Sequence, residues 1–361
     1  MTIRYEGSKL AMAAVALLAA GCAVETGTGS QEKTEQSAAA LTSSTISNDV
    51  PDGITYSTGN VYFTTHHTGL IVYGGGAGAG AEPSTALRLP LITTSSVMRT
   101  SKYSVPGQEI TLWSEQGSRF GDIVWALVGG NYYGYFLSQN LSTSVVTIKR
   151  VPLAGGTAVD IAGGIGTDID IVNGHHLLDT DGTNLYWQDA TSVYRMPIGG
   201  GAHTVLATTS PNTPTAGVYV TGGNVYFASP TSVESVPTSG GAVHTWFNAP
   251  DRVVTISAAP YGTNTMVAWG LYDGSAEFLL TGVTLGIKQP DGFMPTSLAP
   301  ALAESFGYIA CTSASCELNG TGQTISSGAF GLDVDLSQPS TYTAFWGDST
   351  GVHRFASLLI L

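Results

Sequence analysis

One segment of this chain recurs at a fixed spacing. Residues 181–187 (DGTNLYW) reappear as 221–227 (TGGNVYF), and a fainter copy stands at 261–267 (YGTNTMV). The agreement continues downstream, where 192–197 (SVYRMP) corresponds to 232–237 (SVESVP). A period of about 40 residues is typical of one supersecondary unit that a chain uses several times. The repeat therefore constrains the architecture strongly and the chemistry very little.

Each copy of the repeat predicts four short antiparallel strands. The Asp-Gly-Thr-Asn segment favours a tight turn, because glycine adopts positive φ and Asp and Asn form local hydrogen bonds. Residues 185–187 then form an apolar strand, and residues 193–196 alternate apolar with polar as a half-exposed strand does. Pro197 suits the end of that strand because it has no N–H to donate. Residues 204–207 supply the outermost strand.

Four strands per repeat predict an all-β fold, a single β-propeller whose blades pack on one another around an axis. We expect seven four-stranded blades, and six or eight stay open. The long gap between residues 63 and 136 has room for an eighth core at 110–113. The seven aromatic strand cores stand at 62–63, 135–136, 186–187, 226–227, 267–269, 308–310 and 345–346.

The repeat resembles that of the secreted YWTD-like β-propellers and related families. Their blades read Asp-Gly-X-Asn-apolar-Tyr-Trp, then apolar-X-Arg-apolar-Pro, then a Gly-Gly pair. The resemblance implies a propeller scaffold, and because every matching position is structural it implies no active site. The matching residues are Asp181, Gly182, Asn184, Tyr186, Trp187, Val193, Arg195, Met196, Pro197, Gly200 and Gly201, with Val151, Pro152, Gly155 and Gly156 one unit earlier.

The N-terminus carries a targeting signal. Arg4 and Lys9 precede an apolar run at residues 10–20, which is too short to span a bilayer. Residues 18–22 (LAAGC) resemble a bacterial lipoprotein signal, which implies that Cys22 is lipidated and becomes the mature N-terminus. An ordinary secretory signal with an incidental cysteine is the alternative. We expect a signal peptide at 1–21, a flexible tether at 22–48 and the propeller domain at 49–361.

Location and charge restrict the partners. Ala23 follows the cysteine where the lipoprotein family places an aspartate for inner-membrane retention, so the resemblance implies the outer membrane or the cell surface. The lipid anchor would be the chain's contact with the membrane. The formal net charge of −13 and the lack of a basic stripe disfavour nucleic acid. We expect a monomeric cell-envelope protein whose partner is an unidentified protein or glycan.

Two cysteines follow Cys22. Cys311 and Cys316 are separated by four residues at the end of an apolar strand core. A hairpin between them would bring their α-carbons within disulfide range, and an exported chain meets an oxidising compartment. We therefore predict a Cys311–Cys316 disulfide. The metal alternative lacks a third and fourth ligand nearby in sequence.

Two pairs of carboxylates are the candidate metal ligands. Asp168 and Asp170, and likewise Asp333 and Asp335, stand two residues apart in similar segments ahead of a strand core. Alternate strand residues share a face, so each pair could present oxygen ligands to calcium. The simpler hypothesis is that these four aspartates accept hydrogen bonds from neighbouring strands. Apart from this possible calcium, no cofactor is expected.

Other residues of catalytic type give no clear constellation. The pairs at 66–67 and 175–176 are adjacent histidines, whose side chains point to opposite faces of a strand. We expect them on solvent-facing loops or sheet edges. The sequence holds no Gly-X-Ser-X-Gly elbow, phosphate loop or His-Glu-X-X-His helix.

These observations favour a surface-tethered, non-enzymatic β-propeller that binds a protein, glycan or small ligand. The alternative is an extracytoplasmic hydrolase or lyase with its site at the central funnel. Asp168, Asp170, Asp333 and Asp335 are the residues that such an enzyme would use. Whether the chain is an enzyme stays open at the level of sequence, with binding preferred.

Overall fold

The structure is a computed structural model of the chain. Within the described residues every regular element is a β-strand, and no helix occurs there. The same part of the chain accordingly holds no helix with the length and hydropathy to cross a membrane. The described residues are 43–48, 51–57, 60–69, 92–101, 105–166, 171, 176–209, 216–261, 264–271, 276–280, 283–285, 294–299, 307–311, 316–318, 323–325, 330–338, 341–348 and 351–358.

The strands follow one another along the whole described chain. The earlier ones are β1 (Ser43–Ser47), β2 (Pro51–Ser57), β3 (Asn60–Gly69), β4 (Ile92–Ser101), β5 (Ile110–Gln116), β6 (Ser118–Val128), β7 (Asn131–Asn140), β8 (Val146–Pro152), β9 (Val159–Gly166), β10 (Leu178–Thr180), β11 (Asn184–Gln188), β12 (Ser192–Pro197) and β13 (Thr204–Thr208). The later ones are β14 (Val218–Thr221), β15 (Asn224–Ser229), β16 (Ser232–Pro237), β17 (His244–Asn248), β18 (Val253–Tyr261), β19 (Asn264–Leu271), β20 (Ala276–Leu280), β21 (Val283–Leu285), β22 (Met294–Ala299), β23 (Gly307–Cys311), β24 (Cys316–Leu318), β25 (Gln323–Ile325), β26 (Phe330–Gln338), β27 (Thr341–Asp348) and β28 (Gly351–Leu358).

The described strands form seven four-stranded antiparallel sheets. Sheets 1 to 6 each take four consecutive strands, from β2–β5 to β22–β25, and sheet 7 combines β26–β28 with β1. The predicted all-β fold and four-stranded unit are confirmed. All seven predicted aromatic cores lie in the second strand of a sheet. Residues 110–113, considered above as an eighth core, instead belong to β5, the fourth strand of sheet 1.

The seventh sheet joins the two ends of the described chain. β1 pairs with β28, so that Ser43 lies opposite Phe355 and Ser47 opposite Val352. At Gly351, with φ at 138°, an added Cβ would overlap the backbone of Ser47, so only glycine permits this approach.

The boundary predicted for the tether was therefore wrong at residues 43–47. Serine and threonine are poor core residues, but an outer strand needs only one paired backbone edge and little apolar surface. Polar composition therefore does not exclude a strand there. The folded part begins by Ser43 rather than at residue 49, while the predicted signal and the rest of the tether, residues 1–42, lie outside the described residues.

The second strand of each well-described sheet is apolar on both faces because both faces are covered. In β11, Leu185 and Trp187 pack in one hydrophobic cluster with sheet 2, whereas Tyr186 packs in another with sheet 4. In β15, Phe227 faces the cluster shared with sheet 3, and Tyr226 the one shared with sheet 5. A strand buried on both sides has no solvated face, so its sequence shows a continuous apolar run instead of alternation.

The hydrophobic core is accordingly divided into separate clusters between neighbouring sheets. Sheets 1 and 2 share a cluster around Phe120 and Phe136, whose ring centroids lie 4.7 Å apart. Sheets 7 and 1 share another, in which Phe345 and Val352 pack with Phe63. A sheet of this size has no core of its own, so its stability depends on the sheets beside it.

Arginines on third strands add polar links between sheets. Arg195 of β12 donates from Nη1 to the carbonyl of Thr238 in sheet 4, at 2.6 Å. Arg99 of β4 donates in the same way to Leu153 of sheet 2, at 3.2 Å. In each case the acceptor directly follows the proline that ends the neighbouring third strand. The Arg and Pro of the repeat thus belong to one recurring inter-sheet contact.

Strand direction gives every sheet two ends. We call the end where first strands begin the upper face, and it also holds the turns between second and third strands. The lower face holds the turns that leave the first and third strands. In sheet 3, residues 189–191 form an upper turn and residues 181–183 a lower turn. The predicted repeat turn is therefore confirmed and lies on the lower face.

The repeat turn is built in two ways. In sheet 3, Asp181 Oδ1 accepts the backbone N–H groups of Thr183 and Asn184, and Oδ2 accepts the hydroxyl of Tyr186 at 2.7 Å. In sheet 4, Gly222 and Gly223 adopt φ of 58° and 76°, as a two-residue hairpin turn requires. Sheet 4 has Thr221 where sheet 3 has Asp181, and its second glycine, Gly223, allows the turn without the aspartate.

Candidate functional site

A polar cluster lies where the first strands of sheets 2, 3 and 4 approach one another. It consists of Asp122 on β6, His176 just before β10, Asp179 on β10 and Tyr219 on β14, and we call it the first-strand cluster. His176 precedes β10, so the cluster opens towards the upper face. Three neighbouring sheets therefore contribute titratable side chains to one place.

The imidazole of His176 lies between two carboxylates and against an aromatic ring. Its Nδ1 is 3.4 Å from Asp122 Oδ2, and its Nε2 is 3.8 Å from Asp179 Oδ1. The first distance is at the limit of a hydrogen bond and the second is beyond it. The ring centroid lies 4.4 Å from that of Tyr219, and the planes are 30° apart. Of the His176 side chain, 26% stays accessible to solvent.

Both carboxylates also hold the backbone of the neighbouring strands. Asp122 Oδ1 accepts the N–H of Ile123, and Oδ2 accepts that of Leu178 on the next first strand, at 3.0 Å. Asp179 repeats the arrangement, accepting from Thr180 and, on the following first strand, from Val220 at 2.7 Å. Charge-assisted bonds of this kind are stronger than neutral ones. Each aspartate therefore fastens its own first strand to the next.

The surroundings favour a charged imidazole. Burial by itself would lower the pKa of His176, but the negative charge of Asp122, with smaller contributions from Tyr219 and Asp179, raises that pKa well above 6.5. Burial also raises the pKa of Tyr219, and the charge of Asp122 adds to this. These shifts favour the imidazolium form of His176 and the neutral phenol of Tyr219.

The chemistry open to this cluster follows from these contacts. An imidazolium has no lone pair, so it can act neither as a general base nor as a metal ligand in this state. The carboxylate oxygens already accept backbone N–H groups. The least committed donor of the cluster is Nε2–H of His176, which is 3.8 Å from Asp179 and partly accessible.

The residues predicted as metal ligands are only partly described. Asp168 and Asp170 lie outside the described residues. Asp333 and Asp335 lie on β26, the first strand of sheet 7, opposite Phe345 and Thr343. Their i, i+2 spacing places them on one face of the strand, as predicted, but their side chains are outside the described part.

The cysteines have the register that a cross-strand disulfide requires. Cys311 ends β23 and Cys316 begins β24, and the two are directly opposite each other. Opposed residues of antiparallel strands have α-carbons about 4.5–5.5 Å apart, inside the range of disulfides. The pairing itself stays a prediction, since both side chains lie outside the described part. Cys22 lies wholly outside the described residues.

The predicted surroundings of His176 were wrong. We expected residues 175–176 on a solvent-facing loop or edge, whereas His176 packs against Tyr219 and faces Asp122. Asp122 stands in the preceding repeat and Tyr219 in the following one, so no local spacing could reveal the group. The available signal was that His176 precedes a first strand. His175 lies outside the described residues, and His66 and His67 pair with Ser95 and Thr94 of β4.

No metal centre is evident among the residues that the structure describes. There, no group of three or more His, Cys, Asp or Glu side chains is arranged to hold an ion. The first-strand cluster has three such residues, but a protonated imidazole between the two carboxylates occupies the place that a cation would take.

Comparison with known proteins gives the fold class and no family. No protein family and no curated protein matches this chain in sequence. Among solved structures, the chain is similar to the extracellular domain of a protein assigned as a hybrid two-component system from B. thetaiotaomicron. The TM-score is 0.56 at 10% identity, covering 87% of this chain and 39% of that one.

Two further structures are also similar. A second structure of that extracellular domain, assigned there to a one-component system, gives a TM-score of 0.51 at 12% identity, covering 73% of this chain and 36% of the other. For a computationally designed protein, Ika8, the TM-score is 0.48 at 11% identity, and the match covers 87% of this chain and 100% of the designed one. The chain spans less than half of the natural domain that it matches. The two similarities to that natural domain agree with a β-rich fold and indicate nothing about activity.

Proposed function

We propose that the seven sheets are the blades of one closed β-propeller. The proposal is supported by the contacts of first strands, which run in order from β2 through β6, β10, β14, β18 and β22 to β26. β26 in turn contacts β2. The pairing of β1 with β28 supplies the fourth strand of the last sheet, the device by which a ring of blades joins its two ends.

We propose further that the chain is a lipoprotein tethered to the outer membrane or cell surface through Cys22. The supporting observation remains the LAAGC segment after a charged, then apolar, N-terminus. Acyl chains contribute about 0.8 kcal/mol for each buried methylene, so several chains hold a protein stably. Growth with a labelled fatty acid tests the proposal: the wild-type chain should carry the label, and Cys22→Ser should not.

We propose that this propeller is a non-enzymatic binding module for a protein, glycan or small ligand. One observation carries the proposal: the carboxylates of the first-strand cluster already bond to backbone N–H groups of adjoining strands. A catalytic site needs its acid and base free to exchange protons with substrate. Here the same groups hold sheets 2, 3 and 4 together.

One observation favours the alternative, an extracytoplasmic hydrolase or lyase. The raised pKa of His176 favours a proton on Nε2, which lies 3.8 Å from Asp179 Oδ1, and the side chain is partly accessible. A donor of this kind can protonate a leaving group. Such an enzyme would also need a base, for which Asp168, Asp170, Asp333 and Asp335 are the candidates that the sequence offers.

Binding and turnover are separated by a single comparison. The chain from residue 22 is immobilised and exposed to fractionated surface glycans and surface proteins of its own cells, alongside His176→Gln. A binding module retains a ligand saturably, returns it unchanged in mass, and does so in both variants. Conversion of the ligand by the wild type, lost in His176→Gln, would replace the binding proposal with the enzymatic one.

Calcium binding by the aspartate pairs can be tested without knowing the partner. If the carboxylate pairs at 168/170 and 333/335 only accept strand hydrogen bonds, the melting temperature is the same in saturating calcium and in chelator. A calcium-dependent rise that is removed by Asp333→Asn with Asp335→Asn would establish the metal site instead. The magnesium-treated protein serves as the control for ionic strength.

A further inference from the structure

The direction of β1 determines where the tether leaves the folded part. β1 is antiparallel to β28, which as a third strand starts at the upper face and ends at the lower face. Ser47 lies opposite Val352, near the start of β28, and Ser43 lies opposite Phe355, three positions further down. The chain therefore climbs from the lower to the upper face through β1. The residues before Ser43 join it from the lower side.

The first-strand cluster lies at the other end of the sheets. His176 lies two positions before the start of β10, so it belongs to the connections that enter first strands at the upper face. The contacts of Asp122 with His176 and with the N–H of Leu178 place the aspartate at the same level. The third strands β12 and β28 have six and eight residues. At about 3.3 Å per residue, the two faces are separated by roughly 20 Å.

We infer that the lower face is turned towards the membrane and that the upper face, with the first-strand cluster, is the membrane-distal surface. This orientation rests on the proposed anchor at Cys22. The proposed tether comprises residues 22–42. A flexible chain of roughly 20 residues has a root-mean-square span of about 25 Å. This is close to the depth of the sheets, so the tether brings the lower face near the lipid and leaves the upper face exposed to large partners.

Energy transfer to the membrane tests the orientation on matched sites of one sheet. Ser239, in the lower turn of sheet 4, and Thr231, in its upper turn, are both exposed. Each is replaced by cysteine, in chains that carry serine at 311 and 316, and is labelled with the same donor dye. The lipidated protein is reconstituted in vesicles whose head groups carry an acceptor dye. We expect greater transfer from S239C than from T231C.

A second pair of labelling sites, in sheet 2, tests whether the ring is tilted relative to the membrane. Ala154 in the lower turn and Ser142 in the upper turn of sheet 2 are also exposed. A154C should likewise transfer more energy than S142C. Equal transfer in both pairs, or a reversed order in both, overturns the orientation. Opposite orders in the two pairs mean that the ring stands on its edge, which overturns it as well.

Failure of the anchor is distinguished from failure of the orientation. If the full chain does not float with vesicles, the lipoprotein proposal is wrong. The geometry is then tested on residues 23–361, which retain every described residue and have the introduced cysteine as their one thiol, attached through an added N-terminal hexahistidine segment to nickel-chelating lipids. Greater transfer from the lower sites still supports the inference that β1 presents the lower face to its point of attachment, and the reverse order still contradicts it.

Discussion

At the scale of single residues, the backbone of Ser144 is the clearest departure from ordinary geometry. It is the one non-glycine residue with positive φ in the described part of the chain, at 60°. It lies in the upper turn of sheet 2, where its N–H donates to the carbonyl of Asn140. Asn140 Oδ1 meanwhile accepts from Ser142 and Thr143. The turn holds Ser144 in a conformation that a β-carbon disfavours.

Ser144→Gly is expected to stabilise the protein. Glycine adopts this φ without steric conflict and keeps the backbone hydrogen bond, so the free energy of unfolding should rise by about 0.5–1 kcal/mol despite the greater freedom of the unfolded chain. Urea denaturation measures the change. Ser142→Gly is the control: it removes a side chain bonded to Asn140 and should lower stability. A gain in both variants would contradict the explanation.

His176 makes stability depend on alkaline pH. Burial lowers its folded-state pKa, but Asp122 and the smaller contributions of Tyr219 and Asp179 together raise it, so the unfolded state loses its proton first as pH rises. The stabilisation is complete below the unfolded pKa near 6.5 and is lost as pH rises through the folded pKa. We expect the melting temperature of the wild type to fall above neutral pH, and that of His176→Gln to fall less. Parallel curves would exclude this linkage.

These residues also show what sequence could not supply. Asp181 was recognised because its turn partners lie within five positions of it. The first-strand cluster was missed because its members come from three repeats, and the distance between Asp122 and His176 depends on how sheets pack. The i, i+2 carboxylates at 333 and 335 were correctly placed on one strand. Local geometry follows from neighbours in sequence, whereas a site between sheets follows from the assembled fold.

At the scale of elements, burial on both sides explains which strands were easy to predict. The second strands were found by their aromatic cores, since neighbouring sheets cover both faces. Outer strands lack this pattern. The polar composition of β1 led to its assignment to the tether, and the short apolar run of β5 beside Trp113 left an eighth core open. An edge strand is specified mainly by what it pairs with, which composition does not record.

The register of β23 and β24 leads to a prediction about the cysteines. Because Cys311 and Cys316 are opposed, the protein purified without reductant should be two hydrogens lighter than its reduced form and should resist alkylation. Closing so short a loop stabilises by about 2 kcal/mol in the chain-entropy model, so Cys316→Ser should lower the melting temperature. The melting temperature of the reduced wild type should fall to that of Cys316→Ser. Two freely alkylated thiols in the unreduced protein would rule out the pairing.

At the scale of the whole molecule, the seven sheets depend on one another. Hydrophobic clusters join sheet 7 to sheet 1 and sheets 1 to 5 in series. Arg99 and Arg195 link third strands to the next sheet. The repeat period predicted this mutual dependence, because a single thin sheet cannot bury two faces.

Shortening the N-terminus tests the role of β1. A chain that begins at Ser43 keeps β1, and one that begins at Asp49 lacks it. Without β1 the outer edge of β28 loses its partner, and Val352 loses cover from Ser47. We expect the shorter chain to lose on the order of 2–4 kcal/mol, from several backbone hydrogen bonds. It should also self-associate through the exposed edge in size-exclusion chromatography.

The chain from Ser43 is the matched control and should behave as the longer protein does. Equal stability and equal elution volume for the two chains would show that β1 does not contribute to the folded domain.

The partnership of β1 and β28 also has a consequence in time. One strand is among the first folded residues to be synthesised, and the other stands at the end of the described chain. Sheet 7 stays incomplete until β28 has been synthesised, and until then the polar Ser-Thr strand lacks the partner with which it pairs in the folded protein. Because β1 has few apolar residues, we expect it to stay soluble before it pairs and to associate poorly with the exposed edges of other sheets. A circular permutant that begins at β2 and carries β1 after β28 would bring the two paired strands close together in sequence, so less loop-closure entropy is lost when they pair and the chain should refold faster.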